Sequence, residues 1–295
     1  VRRTKPTRHK HEFGESSPDV LRTGKCMHPI QAHPSLTSLF AVPHLSFVLD
    51  AMQAGNSPAR IWVDDPHSPR SAFVWDTTHC LYAGGDASNL AFAAWLSGYI
   101  ADTYLPTLKR EKLGGFKLTL ASPDWEDPLR AAFHPLELSK YPRVCYRLNP
   151  ALLPPVPELP PGYSLRPITR DLLTDAADPG VADLIEEIEL CWPTRERFFK
   201  QGFGWVMYSD ADGIVCRCTA EYASPGQIGV GIATRESHQG RGFATATARQ
   251  FAQQAAQLGL RTHWDAWTRN VPSWRVAEKA GFEKVSDYEV LFWWE

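Results

Sequence analysis

Gln239-Gly240-Arg241-Gly242-Phe243-Ala244 is the segment of this chain best suited to hold a charged ligand. It follows a strand-like run, Gln227–Thr234. It opens a helical stretch whose small or apolar face runs Phe243, Thr247, Phe251, Ala255, Leu258, with Gly259 placed to end it. Glycines let the main chain bend sharply and come close to a ligand, and a helix N-terminus turns free N–H groups toward an anion. Arg241 adds a charge-assisted contact, and a diphosphate fits such a site. The same pattern also occurs as a plain glycine turn before a helix. Two other phosphate-binding patterns fail. The P-loop needs a Lys-Ser/Thr pair that is missing, and the dinucleotide fingerprint needs a third small residue at another spacing and crossover-linked strands.

A second run follows in order: Asn270-Val-Pro-Ser273, then Ala277, Lys279 and Gly281-Phe282. Together the two segments resemble the GCN5-related N-acetyltransferase (GNAT) superfamily. Its loop [RQ]-x-x-G-x-[GA] is met by Gln239, Gly242 and Ala244. Its second motif, N-x-x-[SA]-x-x-x-Y-x-K-x-G-F, is met except at Ala277, where the family has Tyr. The resemblance covers residues 163–295 and implies acetyl-CoA as co-substrate, with no metal. It sets the pantetheine arm against Ile232 and Thr234. The diphosphate falls to Gln239, Gly240, Arg241, Gly242, Phe243, Ala244 and Thr245, and further CoA contacts to Asn270 and Ser273. Those last two also read as a capping pair for the helix they open, and the roles are compatible.

Acyl transfer from a thioester needs a neutral amine, a polarised carbonyl and a leaving thiolate. With Ala277 in place of Tyr, the usual acid is missing. Tyr288 or His263 can serve instead, the thiolate can leave unassisted, or the domain is not a standard catalyst. As base, Asp265, five residues before Asn270, ranks ahead of Glu221, which closes an earlier strand. Either carboxylate also reads as the partner of an Arg or the cap of a turn. Trp264, Trp267, Trp274, Trp293 and Trp294 make the C-terminal stretch aromatic, as an acceptor wall for an ammonium or as sheet packing. The expectation is an N-acetyltransferase moving acetyl to an amine of a small molecule or peptide by direct attack in a ternary complex. The alternative is a non-catalytic acyl-CoA-binding sensor or scaffold.

The elements that must position these residues read as a mixed α/β layer fold. After Tyr163–Pro167 come helical stretches around Leu184–Cys191 and after Thr194. A hairpin about Asp212-Gly213 follows, then the glycine turn and long helix, Arg261–Trp267, a helix over Ser273–Ala280, and two strands, Phe282–Ser286 and Tyr288–Trp294. The resemblance implies a GNAT fold: a central mixed, mostly antiparallel sheet flanked by helices. The first half repeats the order faintly. It has strands at Arg60–Val63, Ser71–Asp76 and Cys80–Ala83, and a turn at Gly84-Gly85-Asp86. A helix follows over Asn89–Leu108 with Leu90, Ala94, Ser97, Ala101 and Leu105 on its face, then Phe116–Leu120, Asp127–Phe133 and Leu136–Leu148. Nothing there matches the cofactor loop. It reads as a degenerate GNAT-like domain that lost CoA binding and shapes the acceptor site, or as an unrelated α/β domain.

The proline-rich stretch 149–162 is stiff and extended, and reads as a linker between domains 27–148 and 163–295. Residues 1–26 read as a disordered basic arm or an upstream extension. The 295 residues carry 31 Lys+Arg and 33 Asp+Glu, a net charge of −2 that gives no grip on a polyanion, so nucleic acid is not expected as a partner. No uncharged run supplies the ~20 apolar residues of a membrane span. Six scattered cysteines without a CxxC pair read as reduced thiols of a cytoplasmic protein, and the resemblance of the whole chain to bacterial two-part GNAT proteins implies a bacterial one. The chain is expected as a monomer or homodimer.

Overall fold

The computed structural model describes residues 27–295; the basic arm expected over 1–26 lies outside the described residues. The first half of the chain runs β1 (His28–Ile30), α1 (Pro34–Leu39), α2 (Ser46–Gln53), β2 (Arg60–Val63), β3 (Ser71–Trp75), β4 (Cys80–Gly85) and α3 (Leu90–Tyr99). It continues with α4 (Leu105–Arg110), β5 (Gly115–Leu120), α5 (Glu126–Ala132) and β6 (Ser139–Leu148). The second half runs β7 (Tyr163–Pro167), α6 (Pro179–Cys191), α7 (Arg195–Gln201), β8 (Gly204–Ser209), β9 (Gly213–Ser224) and β10 (Gln227–Thr234). It closes with α8 (Phe243–Gln257), β11 (Arg261–Trp267), α9 (Val271–Lys279) and β12 (Phe282–Trp294).

These elements form two compact units. Unit 1 holds the described residues up to Phe40, Ala59–Tyr141 and Val290–Glu295; unit 2 holds Ala41–Pro58 and Pro142–Glu289. In unit 1 the strand order is β1-β2-β3-β4-β5 and then the end of β12, with β4 and β5 parallel. Its core is aromatic, with Phe73, Phe92, Trp125, Phe116 and Phe133 fully buried, and Leu291 of β12 joins it. Each such side chain contributes about 2–3 kcal/mol on burial. Between α3 and α4 the helix widens into a π-helical turn, Ile100–Tyr104. Pro106 explains it: proline has no N–H to give and its ring crowds the preceding turn, so an α-helix cannot run through unchanged. The buried face of α3 is Phe92, Trp95, Leu96 and Tyr99, not the expected face, and Leu90 is 82% exposed. The aromatic residues share the helical period one step around and bury more area, so they win the core.

In unit 2 the order runs from the first part of β12 through β6, β11, β10, β9, β8 to β7. The pairs β6–β11, β10–β9, β9–β8 and β8–β7 are antiparallel, and β10–β11 is parallel. Side chains alternate along β10 and β11. Trp264 and Ala266 pack with Ala248 and Ala252 of α8 and Ala277 of α9 on one face. On the other face the His263 ring stacks on Phe47 of α2 at 4.3 Å. Two further expectations are corrected. The final strands are one, β12, because the exposed Asp287 points to solvent and does not break the ladder. Leu258 is exposed beyond the end of α8, which Gly259 closes with φ +67°.

Candidate active site

The parallel pair β10–β11 is short. Gln227, Ile228 and Gly229 register with Arg261, Thr262 and His263, and there the pairing stops. Beyond it β10 stays paired with β9 through Thr234, and β11 with β6 through Trp267. The two strands therefore part after Gly229 and His263 and leave a wedge. Its β10 side, residues 230–234, has main-chain groups turned away from β9 with no strand paired to them among the described residues, as an extended ligand with its own amides requires.

The wedge opens toward the glycine loop. Gly242 is the N-cap of α8 with φ +81°, a conformation that costs other residues free energy, and no side chain caps the helix. The N–H groups of Phe243, Ala244 and Thr245 have no intrahelical acceptor. A Cβ at Gly240 or Gly242 would meet nothing within 4 Å, so the loop faces open space. Two side chains brace it: Gln239 donates to the Thr234 carbonyl at 3.2 Å, and Arg241 donates to the Tyr163 hydroxyl at 3.2 Å. The Thr234 hydroxyl donates to Cys216 Sγ at 3.1 Å, and Ile232 turns its side chain into the core under α8. An uncapped helix start, an unobstructed glycine turn and an unpaired strand edge fit a diphosphate with a pantetheine arm.

The candidate acid–base residues lie on the α2 face of the sheet. Glu221 of β9 precedes a bulge at Tyr222, where φ is +49° and the register with β10 shifts. Its carboxylate leans over Gly231, where a Cβ would collide with Oε1, so only glycine admits it there. Gly231 belongs to the parted stretch of β10, and Glu221 therefore stands at the wedge. Asp265 is placed differently. One oxygen is ion-paired with Arg143 of β6 and the other accepts from the Tyr288 hydroxyl, to which Arg143 Nε also donates at 2.9 Å. The Arg143 guanidinium lies 4.4 Å from the Trp267 ring centre, and His44 stacks on Tyr288. Asp265, Tyr288 and Arg143 thus form one closed cluster, with both carboxylate oxygens committed. His263 sits where the strands part, 2% exposed. Burial above all, with the Arg147 and Arg261 guanidinium groups, pushes its pKa down to about 4, so the ring is neutral. Its Nε2 faces Gln227 Oε1 at 3.1 Å, and Gln227 donates to Asp50 of α2 at 3.0 Å.

On the α8 and α9 face, Trp264 fills the space before Ala277, and its indole N–H donates to Ser273 Oγ at 3.2 Å. Ala277 is fully buried in the same core cluster, so a tyrosine at 277 would have to displace packed side chains. Asn270 occupies the N-cap position of α9, but its side chain makes no capping bond. Among the described residues no group of three or more His, Cys, Asp or Glu side chains could hold a metal ion, and no helix is long and apolar enough to cross a membrane. Among the described cysteines, Cys80, Cys145, Cys216 and Cys218 are free thiols.

A family model described as GNAT acetyltransferase matches residues 37–291. The chain belongs to the GNAT acetyltransferase family. It is similar to the uncharacterized N-acetyltransferase YdfB of Bacillus subtilis (strain 168), 25% identical over 235 residues that make up 80% of this chain and 85% of that protein. Among solved structures, a GCN5-related N-acetyltransferase-like protein from Streptococcus suis is 20% identical, covers 88% of this chain and 97% of its own, and superposes with a TM-score of 0.63. A tandem GNAT protein from the clavulanic acid biosynthesis pathway is 13% identical, covers 91% and 98%, and gives 0.57. The fold is the GNAT fold, and the family uses acetyl-CoA as co-substrate.

Unit 1 of this GNAT chain also has a parallel strand pair, β4–β5, beside a glycine turn, and that pair does not part. Strands β4 and β5 stay paired from Cys80↔Lys117 to Ala83↔Leu120, and Ala121 N–H still reaches the Ala83 carbonyl. A Cβ on Gly84 would sit 2.7 Å from the Leu39 carbonyl and the Phe40 ring. The helix that follows is capped by its own Asn89 side chain.

Proposed function

We propose that unit 2 binds acetyl-CoA in the wedge and transfers its acetyl group to an amine of a small molecule or peptide, with Glu221 as the base. The observation that carries this reading is the parting of β10 from β11 beside an uncapped helix start, with a carboxylate leaning over the parted strand. In this reading the amides of Gly240–Thr245 hold the diphosphate, with Arg241 supplying positive charge beside it. Residues 230–234 offer main-chain donors and acceptors to the two amides of the pantetheine arm. Bound there, the thioester supplies an acyl carbon open to attack from the α2 face.

The incoming ammonium has to lose a proton before it attacks, and Glu221 takes it directly or through a water. Holding amine and thioester together supplies much of the rate, so one weak base is sufficient. The Arg143–Asp265–Tyr288 cluster positions the β11 wall rather than moving protons, because Asp265 cannot accept one without giving up a partner. Unit 1, whose parallel pair does not part, holds no CoA in this reading.

Titrating released thiol while the protein is mixed with acetyl-CoA and a panel of amines tests the proposal. Turnover on at least one amine is expected, and Glu221→Gln should lower kcat by about 10²-fold and flatten the rise of rate with pH. The packing of Trp264 before Ala277 favours a second reading, a non-catalytic acyl-CoA binder. Tight binding with no thiol released on any amine would select it.

A further inference from the structure

The inner end of the wedge is closed by a side chain from far away in the sequence. Phe47 of α2 is 4% exposed and its ring stacks on His263. It meets Tyr222 edge-on at 6.1 Å, and a Cβ on Gly229 would stand 3.1 Å from its Cε2. Phe47 therefore lies over both residues, Gly229 and His263, at which the parallel pairing ends. From the glycine loop a ligand running back along β10 from Thr234 has five residues, about 17 Å of strand, before it reaches that point. On the opposite face Trp264, 2% exposed, belongs to the core cluster against which Val230 and Ile232 of β10 pack.

The helix bearing Phe47 is anchored. Asp50 accepts from Gln227 at 3.0 Å. Asn56 donates to the Ala223 carbonyl at 2.7 Å, and Arg197 donates both to Asn56 at 2.6 Å and to the Ala54 carbonyl at 2.7 Å. All of these groups belong to unit 2. The stopper is thus a fixed wall, not a loose side chain.

We infer that Phe47 sets the upper size of the acyl group this protein accepts, holding it to acetyl. The inference rests on the CoA-binding reading above and goes beyond it. A two-carbon acyl group ends before the Phe47–His263 pair, and each added methylene must displace a packed ring or turn back into the acceptor cleft. Neither is cheap in a close-packed interior.

Calorimetric affinities for free CoA, acetyl-CoA, butyryl-CoA and hexanoyl-CoA test it without an identified acceptor. Free CoA, which carries no acyl group, is the internal reference. Wild type is expected to bind acetyl-CoA at least ~10-fold more tightly than hexanoyl-CoA, since a single misfit methylene already carries about that discrimination. Phe47→Ala opens a cavity, and the preference should fall to about parity or reverse. Phe47→Leu keeps an apolar anchor for α2 and should give an intermediate ratio, so the test survives if the alanine variant does not fold. Equal wild-type affinities for acetyl-CoA and hexanoyl-CoA would overturn the inference, as would an unchanged ratio in a folded variant. If free CoA itself fails to bind wild type, it is the CoA-binding reading that falls.

Discussion

Two carboxylates compete for the role of base, and their surroundings separate them. Asp265 is bound on both oxygens, by Arg143 and Tyr288, and the Glu221 carboxylate lies over Gly231 at the edge of the wedge. Gly231→Ala should therefore displace the Glu221 carboxylate. Steady-state kinetics should show kcat down about tenfold or more with the KM for acetyl-CoA little changed, the pattern of a lost transition-state contact. An unchanged kcat would remove Glu221 from the mechanism. His263 gives a second expectation. Its pKa is about 4 when folded, against 6.5 for an ordinary histidine, so below pH 6.5 the unfolded chain binds a proton that the native ring refuses. This group's contribution is thus fully present above pH 6.5 and is lost as pH falls toward 4, on the order of 3 kcal/mol across the window. Denaturant melts of wild type and His263→Gln between pH 4 and 7 should differ in slope accordingly. The sequence placed Glu221 and Asp265 on strands but ranked Asp265 first. The proposed function prefers Glu221 because Arg143, 122 residues earlier, pairs with Asp265, and no local spacing reveals such a partner.

The elements around the glycine loop were legible because each carries a local signal. Alternation marks β10, the Asp212-Gly213 pair marks the hairpin before it, and the glycines mark the start of α8. Gly242→Ala would force a side chain into a left-handed backbone, at about 1 kcal/mol. Calorimetry on this variant should show CoA affinity reduced more than stability, because the loop would relax out of the shape that presents its amides. The helix α2 was not legible. Its eight residues pack on strands more than 160 positions away, and nothing in 46–53 says which sheet it covers. Asn56→Ala should test how firmly that segment is held. It removes the bond to the Ala223 carbonyl and leaves Arg197 without its side-chain acceptor, so chemical denaturation should show a loss of about 1–3 kcal/mol.

Each unit of the molecule contains residues from both halves of the chain. Arg143–Arg147 pairs with β11 in unit 2, and Val290–Trp294 pairs with β5 in unit 1, where Leu291 is buried. Removing Val290–Glu295 should therefore damage unit 1, although the cut lies at the far end of the sequence. Limited proteolysis of the truncated protein should cleave first within residues 59–141. The proline-rich stretch advertises a linker, but which strand completes which sheet is decided by pairing at long range, beyond the reach of a linear reading. The glycine turn of unit 1 was visible in the sequence, whereas its obstruction by Leu39 and Phe40 was not. The most direct test counts sites. Calorimetric titration of acetyl-CoA into the full chain should saturate at one molecule per chain, bound by unit 2 alone. Two molecules per chain, or no heat of binding, would contradict the assignment of the β10–β11 wedge as the cofactor site.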